Sequence, residues 1–245
     1  MAGVADTPQD RLYFRQLLAG RDLAVGDPLA TQMVNFVYLI GDRASGEALA
    51  VDPAYDPEGL LAVLAADGMR LVGVLATHYH PDHVGGDLMG HHVAGVAELL
   101  GLVDVPVHLQ AEEVPWVQRV TGLGASELVG HRSGDRVRVG DVEVELVHTP
   151  GHTPGSQCFA VADRLVAGDT LFLDGCGRTD LPGGDPEALY ESLTTRLARF
   201  DDGTVLYPGH RYSPASAATL GSVREHNVVF RVKDPAQWLA MFGGR

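Results

Sequence analysis

Cysteine is scarce in this sequence: among 245 residues there are two, Cys158 and Cys176. Two cysteines cannot build a disulfide framework, and they suit a reducing compartment. Long apolar runs are also missing, since no stretch approaches the roughly 20 residues that span a bilayer. The first twenty residues carry Asp6, Asp10, Arg11 and Arg15 and lack the apolar core of a secretory signal. These absences predict a cytoplasmic protein. Positive charge is in deficit too, with 18 basic against 32 acidic side chains and a net charge of −14. Such a charge repels phosphate backbones and anionic lipid, so neither nucleic acid nor a membrane surface is an expected partner. Nothing in the chain speaks to oligomeric state.

What is present is the composition of a globular protein, 45% hydrophobic and 20% charged, at a length that suits one α/β domain. No repeat, low-complexity tract or linker interrupts it, so residues 1–245 read as a single domain. Val34 to Ile40 reads as a buried strand with Glu47 to Val51 as its hairpin partner. Tyr13 to Leu18 fits an edge strand or a short helix. Pro57 to Asp67 has helical spacing, and Leu71 to Ala76 is an apolar run of the buried-strand kind. Asp87 to Gly101 reads as helical, followed by a short strand at Val105 to Leu109. Arg136 to Val139 and Val142 to Val147 alternate like paired strands, and Phe159 to Val161 with Leu165 to Ala167 suggests another hairpin. Pro186 to Phe200 reads as one helix and Val205 to Tyr207 as a last strand. Helices are expected at Ala215 to Glu225 and Pro235 to Met241, in a short helical extension over 213–245.

Chemistry begins where the Leu71–Ala76 strand ends, with Thr77-His78-Tyr79-His80-Pro81-Asp82-His83. Imidazole and carboxylate are the usual ligands of zinc and non-haem iron. In a loop, His78 and His80 can point to one side while Asp82 and His83 turn toward a second position. One segment could thus serve two metals about 3.5–4 Å apart. His152, Asp169 and His210 each follow a further apolar strand and each has a glycine close by, which allows a sharp turn or a close approach. Four loop segments after four strands predict a converging metal site.

The order T-H-x-H-x-D-H, G-H-T-x-G, G-D-T and P-G-H resembles the metallo-β-lactamase superfamily over about residues 34–212. The resemblance implies an αββα sandwich of two mixed sheets flanked by helices, with the metal site at the edge between the sheets. It further implies His78, His80 and His152 around one metal, Asp82, His83 and His210 around a second, and Asp169 between them. Zinc is the first expectation for these two divalent ions, with iron or manganese as alternatives. His91, His92, His108, His131, His148 and His226 read as structural or solvated, although His148 could orient a ligand.

The run from Asp169 to Asp180, which contains Gly175-Cys176-Gly177-Arg178, resembles a segment shared by glyoxalase II and the persulfide dioxygenases. Both families act on glutathione-linked sulfur substrates, so the resemblance implies a low-molecular-weight thiol derivative as substrate, with Arg178 reaching a carboxylate of glutathione and Tyr212 of His210-Arg211-Tyr212 as a second contact. The competing reading of Arg178 is an ion pair with Asp180 that ties down the loop. Cys176, placed among the substrate contacts, has no triad-like histidine and is not expected to act as a nucleophile; Cys158 reads as core. The expected reaction is thioester hydrolysis, with metals lowering the pKa of water and Asp82 and Asp169 orienting it. A thiolate leaves readily, its parent thiol having a pKa of about 8.5, so no strong general acid is required. The alternative that the resemblance implies keeps one iron on His78, His152 and Asp169, a face suited to oxygen chemistry, and acts on glutathione persulfide. A lactonase or another hydrolase of the same fold is a lesser alternative. Long glyoxalase II enzymes add a helical carboxy-terminal domain; only 35 residues follow His210, too few for one, so glutathione itself is not a fixed expectation.

Overall fold

The run expected as a strand from Val34 is β2 (Phe36–Asp42), and every residue of it is buried. Side chains of a strand alternate between the two faces of its sheet. Phe36, Tyr38 and Ile40 therefore enter one core cluster, while Val37 and Leu39 enter another. A strand apolar on both faces must be covered on both, and that requirement sets the layering.

The computed structural model describes residues 11–243. In chain order the amino-terminal strands are β1 (Leu12–Leu18), β2, β3 (Glu47–Val51), β4 (Arg70–Leu75), a small hairpin of β5 (Gly86–Leu88) and β6 (His91–Val93), then β7 (Val107–Gln110) and β8 (Leu128–His131). Six of them form a sheet in the order β1-β2-β3-β4-β7-β8, with β5 and β6 paired apart from it. The second half supplies β9 (Arg136–Val139), β10 (Val142–His148), β11 (Gln157–Val161), β12 (Arg164–Gly168), β13 (Val205–Pro208) and β14 (Ala218–Thr219). These make a second six-stranded sheet in the order β14-β13-β12-β11-β10-β9. Both sheets mix parallel and antiparallel pairs.

The inner faces of the two sheets meet in a core that includes Phe36, Ile40, Val144, Leu146, Phe159 and Val166. Outside the first sheet lie α2 (Pro57–Ala66), α4 (Val96–Leu102) and α5 (Val114–Thr121), which bury Leu60, Leu64, Val96, Leu99 and Val117. Outside the second lie α6 (Pro186–Glu191), α7 (Leu220–His226) and α8 (Pro235–Phe242), contributing Leu189, Leu220, Val223 and Trp238. The expected αββα sandwich is the observed architecture. Trp238 is fully buried, so the carboxy-terminal helices belong to the third core cluster. Two one-turn helices, α1 (Pro28–Met33) and α3 (Pro81–Val84), lie next to the site.

Three expectations need correction. Asp87–Gly101 is not one helix: Met89 and Gly90 both have positive φ, and this two-residue turn closes β5 onto β6. Helix begins only at Val96. The helix from Pro186 changes character at Ser192, where a π turn covers Ser192–Arg196 and a 3-10 turn covers Leu197–Arg199. There the Ser192 hydroxyl donates to the Pro150 carbonyl at 2.7 Å, tying the turn to the loop that carries His152. Helix α7 starts five residues later than expected, because Ala218 and Thr219 pair with β13 and Thr219 then caps the helix. Tyr13–Leu18, left between strand and helix, is strand β1.

Candidate metal centre

Parallel strand pairing builds the site before any ligand is considered. In the first sheet β3 and β4 run parallel with Val51 opposite Leu75, so their carboxyl ends deliver Asp52 beside Thr77. Asp52 accepts the Thr77 N–H at 2.7 Å and its hydroxyl at 2.6 Å. In the second sheet β12 and β13 run parallel with Gly168 opposite Pro208, which sets Asp169 beside His210. Here the backbone comes so close that a Cβ on Gly209 would lie 2.3 Å from Asp169 Oδ1. The two sheets are stitched together at this edge: Gln157 N–H donates to the Thr77 carbonyl at 2.9 Å, and Phe36 N–H to that of Gly209 at 2.7 Å.

All seven sequence-predicted ligand residues converge there, and six are under 10% exposed. Ligand atoms of His78, His80 and His152 lie within 4.8 Å of one another, as do those of Asp82, His83 and His210. Asp169 sits between the trios, its Oδ2 3.7 Å from His152 Nε2 and 3.3 Å from His210 Nε2, its Oδ1 3.4 Å from His83 Nε2. Asp52, His78 and His83 satisfy the same distance test. That third group is not a ligand set, because both Asp52 oxygens are occupied by Thr77 and His83.

The outer nitrogens of four histidines fix the tautomers. Thr77 Oγ1 gives its proton to Asp52 and so accepts from His78 Nδ1–H at 2.9 Å. His83 Nδ1–H donates to Asp52 Oδ2 at 2.9 Å, His152 Nδ1–H to the Arg178 carbonyl at 2.7 Å, and His210 Nδ1–H to the Met33 carbonyl at 2.8 Å. In its neutral form, the one that binds a metal, each of these four rings turns its Nε2 lone pair inward. His78 Nε2 and Asp169 Oδ1 are buried without any hydrogen-bond partner. His83 Nε2 and His210 Nε2 face each other at 3.2 Å. Nitrogen lone pairs and carboxylate oxygens crowded together, two of the acceptors orphaned, are costly unless a cation, a proton or a metal ion, sits among them. Imidazole nitrogens and carboxylate oxygens in this number fit a divalent ion of the zinc or iron type. Such acceptors behind ligating histidines hold the rings and raise their basicity.

The electrostatics agree. Burial works against charging His83, but Asp82, Asp169 and Asp52 outweigh it and raise its pKa to about 10. Burial and then the neighbouring His152 push His80 down to about 3. Asp169 is held well below the usual carboxylate range despite its burial, because His210 and His83 face it. The same carboxylates that favour a proton on His83 favour a metal ion in their midst.

Above the ligands opens a cavity of about 650 Å³. Tyr212 lies flat on His210, ring centroids 4.7 Å apart and 5° from parallel, in the cavity wall. Arg178 also lines it, with Nε and Nη2 each 2.6 Å from the Asp180 carboxylate. Cys176 is half-buried in the same wall, and burial pushes its thiol up to about 12, which fits a packed side chain and not a nucleophile. Cys158 is fully buried core. The other histidines stay out of the site: His148 Nε2 contacts the Pro154 carbonyl, His92 contacts Glu98, and His108 and His131 contact each other.

Sequence reasoning missed Asp52, Asn35 and Glu113. Asn35 donates to Asp82 at 3.1 Å and takes a hydrogen bond from Tyr55 at 3.2 Å. Glu113 is fully buried and accepts from Tyr79 N–H at 2.7 Å, Thr153 hydroxyl at 2.8 Å and Gly155 N–H at 2.6 Å. It thereby joins the loop of His78 and His80 to the loop of His152. Asp52 had a local signal, an Asp-Pro at a strand end; Glu113 had none.

Comparison with known proteins bears on this geometry. A hydroxyacylglutathione hydrolase of Polaromonas sp. is 36% identical over 79% of this chain and 73% of its own length. The mouse mitochondrial persulfide dioxygenase ETHE1 is 29% identical over 93% of this chain and 84% of its own. The crystal structure of ETHE1 from Myxococcus xanthus superimposes with a TM-score of 0.77 at 28% identity, covering 94% of this chain and 90% of the other. Residues 30–210, which carry all seven ligand residues, match the family model of the Metallo-beta-lactamase superfamily, and the chain belongs to that superfamily.

Proposed function

We propose that the protein is a metal-dependent thioester hydrolase of the glyoxalase II type, acting on an acyl derivative of a low-molecular-weight thiol. The observation that carries this reading is the completeness of both ligand trios with Asp169 between them, with outer acceptors behind His78, His83, His152 and His210. His78, His80 and His152 would hold one ion, and Asp82, His83 and His210 a second. When bound, the metal pair supplies Lewis acidity that brings the pKa of water toward 7. Asp82 and Asp169 accept hydrogen bonds from the attacking water and aim its lone pair at the acyl carbon. Oxygen bonds to that carbon as a water proton passes by way of the Asp82 or Asp169 carboxylate to solvent, the C–S bond breaks, and the thiolate leaves with the electron pair. Its parent thiol has a pKa of about 8.5, so the departure needs no strong acid. Tyr212, held by its stack on His210, meets the thiol carrier at the cavity wall.

A second reading, a persulfide dioxygenase with one iron on His78, His152 and Asp169, draws support from the length of the ETHE1 likeness, 93% of this chain in the mouse protein. Metal content decides between them. Two ions per chain by elemental mass spectrometry, with thioester turnover that His80→Ala abolishes, supports the hydrolase. One iron per chain, with oxygen consumed on a persulfide and no thioester turnover, overturns it.

A further inference from the structure

Between the ligands His78 and His80 stands Tyr79, at the position that the pattern T-H-x-H leaves open. It is 6% exposed and holds three neighbours at once. Its N–H donates to Glu113 at 2.7 Å. Its ring lies on Trp116 of α5, centroids 4.9 Å apart and planes 24° from parallel. Its hydroxyl donates to the Pro182 carbonyl at 2.8 Å. Leu181, Pro182 and Tyr79 all line the cavity above the ligands. The turn from Leu181 to Gly184 has little of its own to fix it. Pro182 and Gly183 are exposed, and the turn closes on the Gly184 N–H bond to the Leu181 carbonyl at 2.9 Å. An exposed turn of this kind opens at low free-energy cost, so the contacts that seat it decide where the wall stands. Gly183 seats it on one side with φ +83°, where a Cβ would lie 2.7 Å from Pro154 Cδ and 3.2 Å from Trp116 Cζ2. Among the described residues, the Tyr79 hydroxyl is the one hydrogen bond from the His78–His80 segment to this turn. Arg178, three positions before Leu181, accepts from His152. Both metal-binding loops thus grip the same wall, His152 at Arg178 and Tyr79 at Pro182.

We propose that Tyr79 is a positioning residue for the thiol carrier, its hydroxyl fixing the Leu181–Pro182 wall at a set distance from the metal ligands. The inference rests on the hydrolase reading, in which the carrier lies along this wall, and gives Tyr79 no contact with the reacting atoms. Loss of the hydroxyl then weakens the binding of a substrate long enough to reach the wall and leaves the chemical step alone.

Tyr79→Phe keeps the ring stack and removes only the oxygen. On the metal-loaded protein, KM for S-lactoylglutathione should rise about 2- to 10-fold, the equivalent of one hydrogen bond, with kcat within about twofold. S-methyl thioacetate, too small to reach the wall, should keep its kcat/KM, which a loosened metal centre would not allow. Gly183→Ala unseats the same turn from its other side, because the added methyl meets Pro154, and should give the same selective rise in KM. S-hexylglutathione, which is not a thioester, reads the effect without turnover: its affinity by titration calorimetry should fall by the same factor. Zinc affinity by chelator competition should stay unchanged in both variants. An S-hexylglutathione affinity unchanged in Tyr79→Phe overturns the inference, as does an equal loss on S-methyl thioacetate or a fall in zinc affinity. If the unmodified protein turns over neither thioester, the hydrolase reading falls and S-hexylglutathione alone decides the role of Tyr79. No binding of that thioether to the unmodified protein overturns the role as well.

Discussion

Glu113→Ala is the substitution that most sharply tests how the site is held. The carboxylate accepts the N–H groups of Tyr79 and Gly155 and the hydroxyl of Thr153, all buried. Thr153 can redirect its proton to Ser156 Oγ, 2.8 Å away, so two backbone donors are left without a partner. A buried donor stranded in this way costs about 1–3 kcal/mol, which puts the substitution at roughly 2–6 kcal/mol. Water entering the vacated space would hold it to the lower half of that range, about 2–4 kcal/mol. The cost must depend on pH. Burial raises the Glu113 pKa from 4.5 to about 7, more than its hydrogen bonds lower it. A folded-state pKa above the unfolded one gives stability that is present below pH 4.5 and lost as pH rises through about 7. The variant lacks that loss, so its deficit should be larger at pH 5 than at pH 8.5, by about 2 kcal/mol. Urea unfolding of both proteins at the two pH values, with chelator present so that metal linkage is equal, measures this directly. Because Glu113 joins the loops of His78, His80 and His152, zinc affinity by chelator competition should fall as well. A deficit under about 1 kcal/mol at pH 5, or one that does not change with pH, would refute the assignment.

Three further outcomes follow from the same geometry. Asp52→Asn removes the charged acceptor behind His83 and Thr77, and metal affinity by chelator competition should fall about 10- to 100-fold while circular dichroism stays native. Gly209→Ala drives a Cβ to 2.3 Å from Asp169 Oδ1; the displaced carboxylate should cost kcat about 10²-fold with KM little changed. Asp42 is fully buried and pairs with Arg11, and together with the N–H groups of Asp141 and Ala44 this holds its pKa at about 2 against the opposing effect of burial. Its stabilising contribution is present above pH 3.8 and lost as pH falls through about 2, so Asp42→Asn should flatten the acid limb of the unfolding curve in that window.

The ligands were legible because metal chemistry needs rare residue types at short spacing, and His78, His80, Asp82 and His83 fall within six consecutive positions. The strands that carry them were legible for a related reason, since a strand buried on both faces must be apolar throughout, as β2 is. Errors gathered where local pattern and tertiary demand disagree. Val93, Val96 and Leu99 are all buried and carry helical spacing, yet the Met89–Gly90 turn forces the first of them into a hairpin. Ala218 and Thr219 would extend a helix, but the edge of β13 offers them a ladder instead.

The acceptors behind the histidines belong to a different class. Asp52 serves His83 from 31 positions away, Glu113 serves Thr153 from 40, and the Met33 carbonyl serves His210 from 177. Two of the four outer acceptors are backbone carbonyls, those of Met33 and Arg178, which no residue type announces. Sequence motifs report which side chains can bind a metal; contacts between distant segments, such as the β3–β4 register that sets Asp52 beside Thr77, decide which ring nitrogen is left bare to bind it. If that division of labour is right, substitutions in the outer acceptors should weaken metal binding without removing any ligand. Substitutions of the ligands themselves should abolish it in a protein whose sheets still pair. Asp52→Asn and His80→Ala, measured side by side for zinc affinity and for secondary structure, separate the two contributions.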